Sequence, residues 1–258
     1  MKKFGICLET VNFFKKPDFV DQILKIIRDE IYDFVQLIVF SDSYDDTHAI
    51  IQEKMQGIRS VIHAPFYDID TGNSDLLESN LRKLKDAQKF ADLLCSDIII
   101  LHPGRGDGEE YLSETIRQIK MINDPRIVVE NLPYNPQGHL LHGSSPENIK
   151  RIIDETGCKF CFDFAHATCA ANSLGRNVYD DFAKYNALQP ILYHLSDGDF
   201  SEIIDEHLHL GLGNYDIAKI LKKFTSENSE IVLETRHANP TITDLWLKDM
   251  QYIKELGL

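Results

Sequence analysis

The chain has 258 residues, which is enough to bury a large core and is the usual length of one (β/α)8 barrel. Its formal net charge of −14 disfavours non-specific attraction to nucleic acid or to an anionic membrane, because both are bound mainly by Lys and Arg. No apolar stretch reaches about 18 residues and no signal-peptide core precedes the first strand, so we expect no membrane span. Five cysteines, an odd number, indicate reduced thiols and favour a cytoplasmic location.

Short apolar runs recur along the chain, and each is rich in the β-branched and aromatic residues of a buried strand. Between them lie segments with apolar residues at helical spacing. The predicted strands are Gly5–Leu8, Phe34–Phe40, Ile58–Ile62, Ile98–Leu101, Ile127–Val129, Phe160–Phe162, Ile191–Tyr193 and Ile231–Leu233. Seven helices are predicted. Four have both ends defined, at Ser74–Leu94, Tyr111–Met121, Pro146–Glu155 and Thr243–Leu256. Of the other three, the first begins at Pro17, one ends near Gly57 and one ends near Phe224.

Eight rounds of strand and helix predict a parallel sheet, and eight units close into a (β/α)8 TIM barrel. An open doubly wound sheet is the alternative, but it would need polar edge strands that the sequence lacks. We therefore expect one α/β barrel domain over residues 1–258.

Potential metal ligands follow most of the predicted strands. In a parallel barrel the carboxyl ends of all strands face one rim, where active sites form. Six strand ends carry His63, His102, Glu130, Asp163, His194 and Glu234, while His166, Asp205 and His207 lie in the following segments.

Each of these residues alone is more often a cap or a hydrogen-bonding loop residue than a ligand. Together, uncompensated carboxylates and imidazoles would shift one another's pKa values strongly. Only Arg105 and Arg236 lie within a few residues of these ends. A metal cation is therefore the expected partner, and mixed nitrogen and oxygen ligands suit Zn²⁺, Mn²⁺ or Fe²⁺. Nine ligands are too many for one ion and enough for two or three.

Six motifs carry a resemblance to a known superfamily. They are His102-Pro103-Gly104, Glu130-Asn131, Asp163-x-x-His166, His194-Leu195-x-Asp197, Asp205-x-His207-x-x-Leu210-Gly211-x-Gly213 and Leu233-Glu234-Thr235. With these motifs the chain resembles the xylose-isomerase-like TIM barrels, which include endonuclease IV and sugar or sugar-phosphate isomerases and epimerases. The resemblance runs from the first strand to Glu234.

The endonuclease IV group matches this chain at all nine candidate ligands. That resemblance implies a zinc held by His63 and His102, with Glu130 bridging to a second. It further implies that the second ion is completed by Asp163, His194 and Glu234, and that a third is held by His166, Asp205 and His207. Glu130, Glu234 and His166 are then the expected catalytic residues, and the implied reaction is hydrolysis of a phosphodiester beside an abasic site in DNA.

The isomerases and epimerases imply another chemistry. They bind one Mn²⁺, Mg²⁺ or Co²⁺, here through Glu130, Asp163, His194 and Glu234, and the implied substrate is a sugar or sugar phosphate. Two carboxylates then move a proton beside the substrate carbonyl, while His166 holds a substrate oxygen. The loop at residues 41–46 is acidic, and with the net charge it favours a small-molecule substrate over DNA.

Several residues near the rim stay open to two interpretations. Phe66 is either a loop packing residue or an aromatic that stacks on a base. Arg105 and Arg236 are either phosphate ligands or ordinary loop arginines. His139 and His142 are either surface residues, which is the favoured interpretation, or lid contacts. If His207 points inward, we expect His209 not to, and we expect Cys158 and Cys161 to be structural rather than to serve metal or redox chemistry.

Overall fold

The computed structural model describes residues 1–134, 140–236 and 243–257. Eight parallel strands close into a barrel in sequence order, with β1 paired to both β2 and β8. The strands are β1 (Lys3–Glu9), β2 (Phe34–Ile38), β3 (Ser60–His63), β4 (Ile99–Leu101), β5 (Ile127–Glu130), β6 (Lys159–Asp163), β7 (Leu192–Leu195) and β8 (Glu230–Leu233). The predicted TIM barrel is confirmed.

Helices lie between successive strands. Within the described ranges they are α1 (Asn12–Lys15), α2 (Pro17–Arg28), α3 (Tyr44–Lys54), α4 (Leu77–Leu93) after a 3-10 turn at Ser74–Leu76, α5 (Glu109–Ile122), α6 (Pro146–Thr156), α7 (Phe164–Ser173), α8 (Val178–Asn186), α9 (Ile217–Phe224) and α10 (Asp244–Glu255). Pro17 occupies the first turn of α2 as predicted, where its missing N–H group costs nothing. None of the helices in the described residues is long and apolar enough to cross a membrane.

The predicted boundaries differ at several elements. β2 ends at Ile38 rather than at Phe40, and β3 begins at Ser60 rather than at Ile58. The segment between β6 and β7, for which the sequence predicts no helix, contains α7 and α8. α7 is buried nearly all round, so the amphipathic stripe by which a helix is recognised is weak there.

Each strand separates two apolar layers. One set of side chains packs outward against the helices and forms the main core. The opposite set fills the barrel interior with a smaller cluster of buried residues. That interior cluster consists of Phe34, Val61, Ile98, Ile100, Val128, Cys161, Leu192 and Val232. It closes the barrel below the rim.

Candidate metal centre

The candidate ligands stand directly above the interior cluster. Side chains two residues apart on a strand share a face. Each ligand from a strand end therefore follows an interior apolar residue by two positions and projects toward the barrel axis. The pairs are Val61 and His63, Ile100 and His102, Val128 and Glu130, Cys161 and Asp163, Leu192 and His194, and Val232 and Glu234.

Glu130 lies at the centre of the first group. Its side chain is fully buried. Its Oε2 atom lies 3.3 Å from Nε2 of His63 and 3.1 Å from Nε2 of His102. The three residues offer ligand atoms that all lie within 4.8 Å of one another. This is close enough for one cation to contact all three.

The second group shares Glu130 with the first and adds Asp163, His194 and Glu234. All four residues are buried, and their ligand atoms again lie within 4.8 Å of one another. Nδ1 of His194 lies 3.0 Å from Oε1 of Glu130, 3.4 Å from Oε1 of Glu234 and 3.8 Å from Oδ2 of Asp163. Three carboxylates thus surround one imidazole.

The third group consists of His166, Asp205 and His207. Oδ2 of Asp205 lies 3.4 Å from Nε2 of His166 and 2.7 Å from Nε2 of His207. His166 lies in the first turn of α7, where its backbone N–H group donates a 2.6 Å hydrogen bond to the N-cap residue Asp163. The helix cap therefore joins the second group to the third.

Main-chain carbonyl oxygens fix the tautomers of three of these histidines. Nδ1 of His63 donates to Ala64 O at 2.8 Å, Nδ1 of His166 to Asn131 O at 2.9 Å, and Nδ1 of His207 to Glu234 O at 2.8 Å. In the neutral ring each Nε2 lone pair then faces a carboxylate oxygen. Two electron-pair donors this close require a proton or a cation between them. The oriented nitrogen and oxygen donors fit a divalent metal ion.

The carboxylates of the centre do not share one electrostatic environment. Burial would raise the pKa of Glu130, but the imidazoles of His194 and His102 outweigh it and hold that pKa well below its usual value. Burial raises the pKa of Asp163 to about 7, although His166 opposes the shift. Neighbouring imidazoles therefore hold Glu130 in its charged form, whereas burial favours the neutral form of Asp163.

Two residues that were not predicted as site residues hold the ligands in place. Nε2 of Gln36, in β2, donates a 2.5 Å hydrogen bond to Oε1 of Glu234. Asn131 donates from Nδ2 to the carbonyl oxygen of Asp163 and accepts from its N–H group, both at 2.8 Å. The only sequence signal for Gln36 is an amide within an apolar strand. For Asn131 the signal is its place in the Glu130-Asn131 motif.

Two small cavities open onto the centre. One, of about 150 Å³, is lined by His63, His102, His166, His207 and Glu234 together with Ile38, Phe66, Tyr67 and Arg236. The other, of about 270 Å³, adjoins His102 and His166 and is lined by apolar residues together with Asp70 and Arg105. The ring of Phe66 lies 5.2 Å from that of His63 and 5.0 Å from that of His102, centroid to centroid. An aromatic side chain therefore forms a wall of the space above the candidate ligands.

The two rim arginines differ in their surroundings. Nε of Arg105 lies 3.1 Å from Oδ2 of Asp70, and its backbone N–H group donates to Oδ1 of the same residue. Arg105 is thus already paired with a carboxylate. Arg236 is exposed and lines the cavity above the centre. Arg236 is the better placed of the two to meet an anionic group there.

The prediction that His142 lies on the surface is wrong. His142 is buried, with Nδ1 at 2.9 Å from Thr115 Oγ1 and Nε2 at 3.0 Å from Gly106 O. Its loop folds back over α5, so the ring serves as a hydrogen-bonding element of the core.

His139 lies outside the described residues. His209 is directed toward Asp249 rather than toward the ligand groups. The five cysteines are free thiols.

Curated proteins similar to this chain include the following two. A protein of Methanocaldococcus jannaschii described as uncharacterized protein MJ1311 is 27% identical over 215 residues, which cover 77% of this chain and 70% of that protein. Endonuclease 4 of Thermus thermophilus is 25% identical over 169 residues, which cover 62% of each chain. The chain thus spans less than two thirds of that endonuclease.

Solved structures with the same fold carry several functional names. A D-tagatose 3-epimerase-like protein superposes with a TM-score of 0.74 at 20% identity, covering 98% of this chain and 96% of the other. Endonuclease IV from Thermus thermophilus gives a TM-score of 0.68 at 20% identity, covering 98% and 99%. An IOLI protein described with a binding zinc atom gives 0.65 at 14%, covering 98% and 96%.

A family model for the xylose isomerase-like TIM barrel matches residues 32–256, nearly the whole length of the chain. Its members include enzymes with different reactions, as the endonuclease and epimerase names indicate. Together with the closed eight-stranded barrel, this match assigns the family. The chain belongs to the xylose isomerase-like TIM barrel family.

Proposed function

We propose that this protein is a divalent-metal-dependent hydrolase of phosphoester bonds with a centre of up to three ions. The observation that carries the proposal is the grouping of nine candidate ligands into three adjacent sets, two of which share Glu130. A one-metal enzyme would need only the set around His194. Zn²⁺ is the expected ion, since more than half of the candidate ligands are imidazoles, which suit zinc well.

In this proposal Glu130 bridges the first two sets, because each of its oxygens faces two imidazoles. Glu234 and His166 contact the reacting group, since both line the cavity above the centre. Clustered divalent ions supply charge neutralisation at a phosphoryl group and a nucleophile at neutral pH. Gln36 and Asn131 act by holding Glu234, Asp163 and His166 in place. The protein's own contribution is thus a buried, preoriented donor set.

We further propose that the substrate is a small phosphate ester rather than duplex DNA. Cations near the mouth are paired with acids: Arg105 with Asp70, Arg82 with Asp42, and Lys83 with Asp68. DNA binding depends on unpaired Lys and Arg along the phosphate track. A small phosphate ester needs fewer unpaired cations, and Arg236 lines the cavity beside Glu234.

The test combines a metal count with a substrate panel. We expect elemental analysis of purified protein reconstituted with zinc to give two or three ions per chain. We expect such protein to cleave a small chromogenic phosphodiester and to act poorly on a duplex carrying an abasic site. One ion per chain, with no cleavage of any phosphoester, would contradict the proposal. Efficient and selective cleavage of the abasic duplex would retain the reaction class and overturn the substrate.

A second candidate function is a single-metal isomerase or epimerase of sugars or sugar phosphates. It is favoured by the set of Glu130, Asp163, His194 and Glu234, which offers three carboxylates and one imidazole without help from the other groups. Two such carboxylates can exchange a proton with a carbon beside a carbonyl. Deuterium exchange at that carbon across a ketose panel tests this candidate, and one ion per chain is its expected stoichiometry.

The proposed surroundings of the protein follow from its thiols. Five free cysteines accord with a reducing compartment, and a cytoplasmic location stays a prediction.

A further inference from the structure

Two loop segments that carry candidate ligands are bound to each other above the rim. Nδ1 of His207 donates to the carbonyl oxygen of Glu234, and the N–H group of Arg236 donates to the carbonyl oxygen of His207, both at 2.8 Å. The backbone around His207 and the backbone after β8 are therefore joined by two hydrogen bonds. A group that binds both segments from outside is placed to influence the second and third ligand sets.

Asp249, on the outer helix α10, is such a group. Its Oδ2 atom accepts hydrogen bonds from Nδ1 of His209 at 2.6 Å and from Oγ1 of Thr235 at 2.9 Å. Its Oδ1 atom accepts from the N–H group of Leu210 at 2.8 Å. The side chain is fully buried. A carboxylate is costly to bury unless it is hydrogen-bonded, and this one is bonded to both segments.

The three donors belong to the neighbourhood of two candidate ligands. Thr235 directly follows Glu234, and His209 and Leu210 come two and three residues after His207. The side chain of Asp249, in the layer of outer helices, thus binds both the segment that follows His207 and the segment that follows Glu234. It touches none of the nine candidate ligands itself.

His207 has a backbone that needs such support. Its φ of +51° lies in the left-handed region, which is unfavourable for residues other than glycine. Conformations of this kind persist only where surrounding contacts enforce them. Asp197 also anchors the loop, since its Oδ2 atom accepts from the N–H group of Gly211 at 2.8 Å and its Oδ1 atom from that of Tyr215 at 3.1 Å. These hydrogen bonds, however, do not involve the segment after β8.

We propose that Asp249 is a positioning residue that sets the geometry of His207 and Glu234 and thereby the affinity of the third ligand set for its ion. The inference rests on the proposed metal centre. Outer hydrogen bonds to ligand-bearing segments usually change metal affinity by about 10- to 100-fold. The third set, His166, Asp205 and His207, depends on the loop that Asp249 anchors, whereas the first set does not.

The test measures metal affinity rather than turnover. Zinc-loaded protein is titrated with a chromophoric chelator, and the ions removed are counted in the wild type and in Asp249→Asn. We expect the most weakly held ion of the variant to be lost at about 10- to 100-fold lower chelator concentration, with a smaller decrease for the ion that Glu234 would bind and no change for the ion of the first set. Asp181→Asn is the matched control, since Asp181 is also buried but pairs with Arg176 away from the centre.

A second pair of variants keeps the test decisive if Asp249→Asn does not fold. Thr235→Val removes one hydrogen bond to Asp249 at nearly constant volume, and Thr235→Ser retains the hydroxyl group. We expect Val to weaken the same ion and Ser to restore it, a difference that a general loss of stability would not produce. Equal affinities for every ion in wild type, Thr235→Val and any folded Asp249→Asn would overturn the inference alone. A wild-type protein that binds no metal would overturn the proposed function together with it.

Discussion

The carbonyl oxygen of Glu234 accepts a 2.8 Å hydrogen bond from Nδ1 of His207, so the backbone of one candidate ligand orients the side chain of another. The carbonyl can only accept, and the Nε2 lone pair of a neutral ring is thereby turned toward Asp205. His63 and His166 are arranged in the same way by the carbonyls of Ala64 and Asn131. This repetition shows that main-chain carbonyl oxygens orient the imidazoles of the centre.

Glu130→Gln tests the shared carboxylate. We expect activity to fall by at least about 100-fold, because four imidazoles surround this carboxylate and a neutral amide cannot balance bound cations. The measurement is kcat/KM on the substrate that proves active, with metal content determined in parallel. Glu114→Gln, on the outer side of α5, is the matched control and should keep full activity. A Glu130→Gln protein with wild-type rate and metal content would contradict a bridging role.

Gln36→Leu tests the support of Glu234. The substitution removes the hydrogen bond to Oε1 of Glu234 at nearly constant volume. We expect metal affinity or activity to fall by about 10- to 100-fold while the barrel stays folded. Gln118→Leu, at another buried glutamine that bonds within the helical layer, should lower stability without this effect. Equal metal affinity in the two variants would show that Gln36 only fills space.

His142→Ala tests the buried histidine. Removal of the ring deletes the hydrogen bond to the Gly106 carbonyl and leaves the Thr115 hydroxyl with only its long contact to Thr71. We expect the free energy of unfolding to fall by about 2 kcal/mol. Urea denaturation followed by circular dichroism provides the measurement. His48→Ala is the comparison, since His48 is only half-buried, and its smaller effect is part of the expectation. An unchanged unfolding midpoint for His142→Ala would contradict its structural role.

Asp124 gives a pH-dependent prediction far from the centre. Hydrogen bonds from Arg126 outweigh burial and lower the pKa of Asp124 from 3.8 to about 2. A depressed carboxylate pKa contributes stability above the unfolded value, and that contribution is lost as the pH falls toward the folded value. We expect Asp124→Asn to be less stable than wild type by about 1 kcal/mol at neutral pH, after allowance for solvent screening. The difference should shrink between about pH 5 and pH 3.

The comparison is made by urea unfolding at several pH values. Asp154→Asn, at an exposed carboxylate paired with Lys150 in α6, is the control and should show a smaller difference at every pH. A difference between wild type and Asp124→Asn that stays constant down to about pH 3 would contradict the prediction.

Local sequence was sufficient to predict the barrel and the grouping of candidate ligands at its rim. Apolar runs ending in His63, Glu130 or Asp163 predicted strands with polar tips, and parallel topology predicted that the tips meet. The relations that were missed are long-range. Gln36 meets Glu234 only because β2 and β8 both flank β1, and His142 meets Thr115 only because its loop folds over α5. No local pattern reports a partner so distant in the chain.

Because side chains alternate along a strand, one short segment supplies both a residue of the barrel interior and a candidate ligand. Val128 and Glu130 are two residues apart, yet the first belongs to the apolar interior and the second to the polar centre above it. Replacement of a whole group of buried charges by apolar residues of similar size is often neutral or stabilising, whereas removal of a single partner is costly. A lineage can therefore exchange a set of ligands at the strand tips together without rebuilding the scaffold beneath. Such modularity offers one physical reason why endonuclease and epimerase names occur on the same barrel.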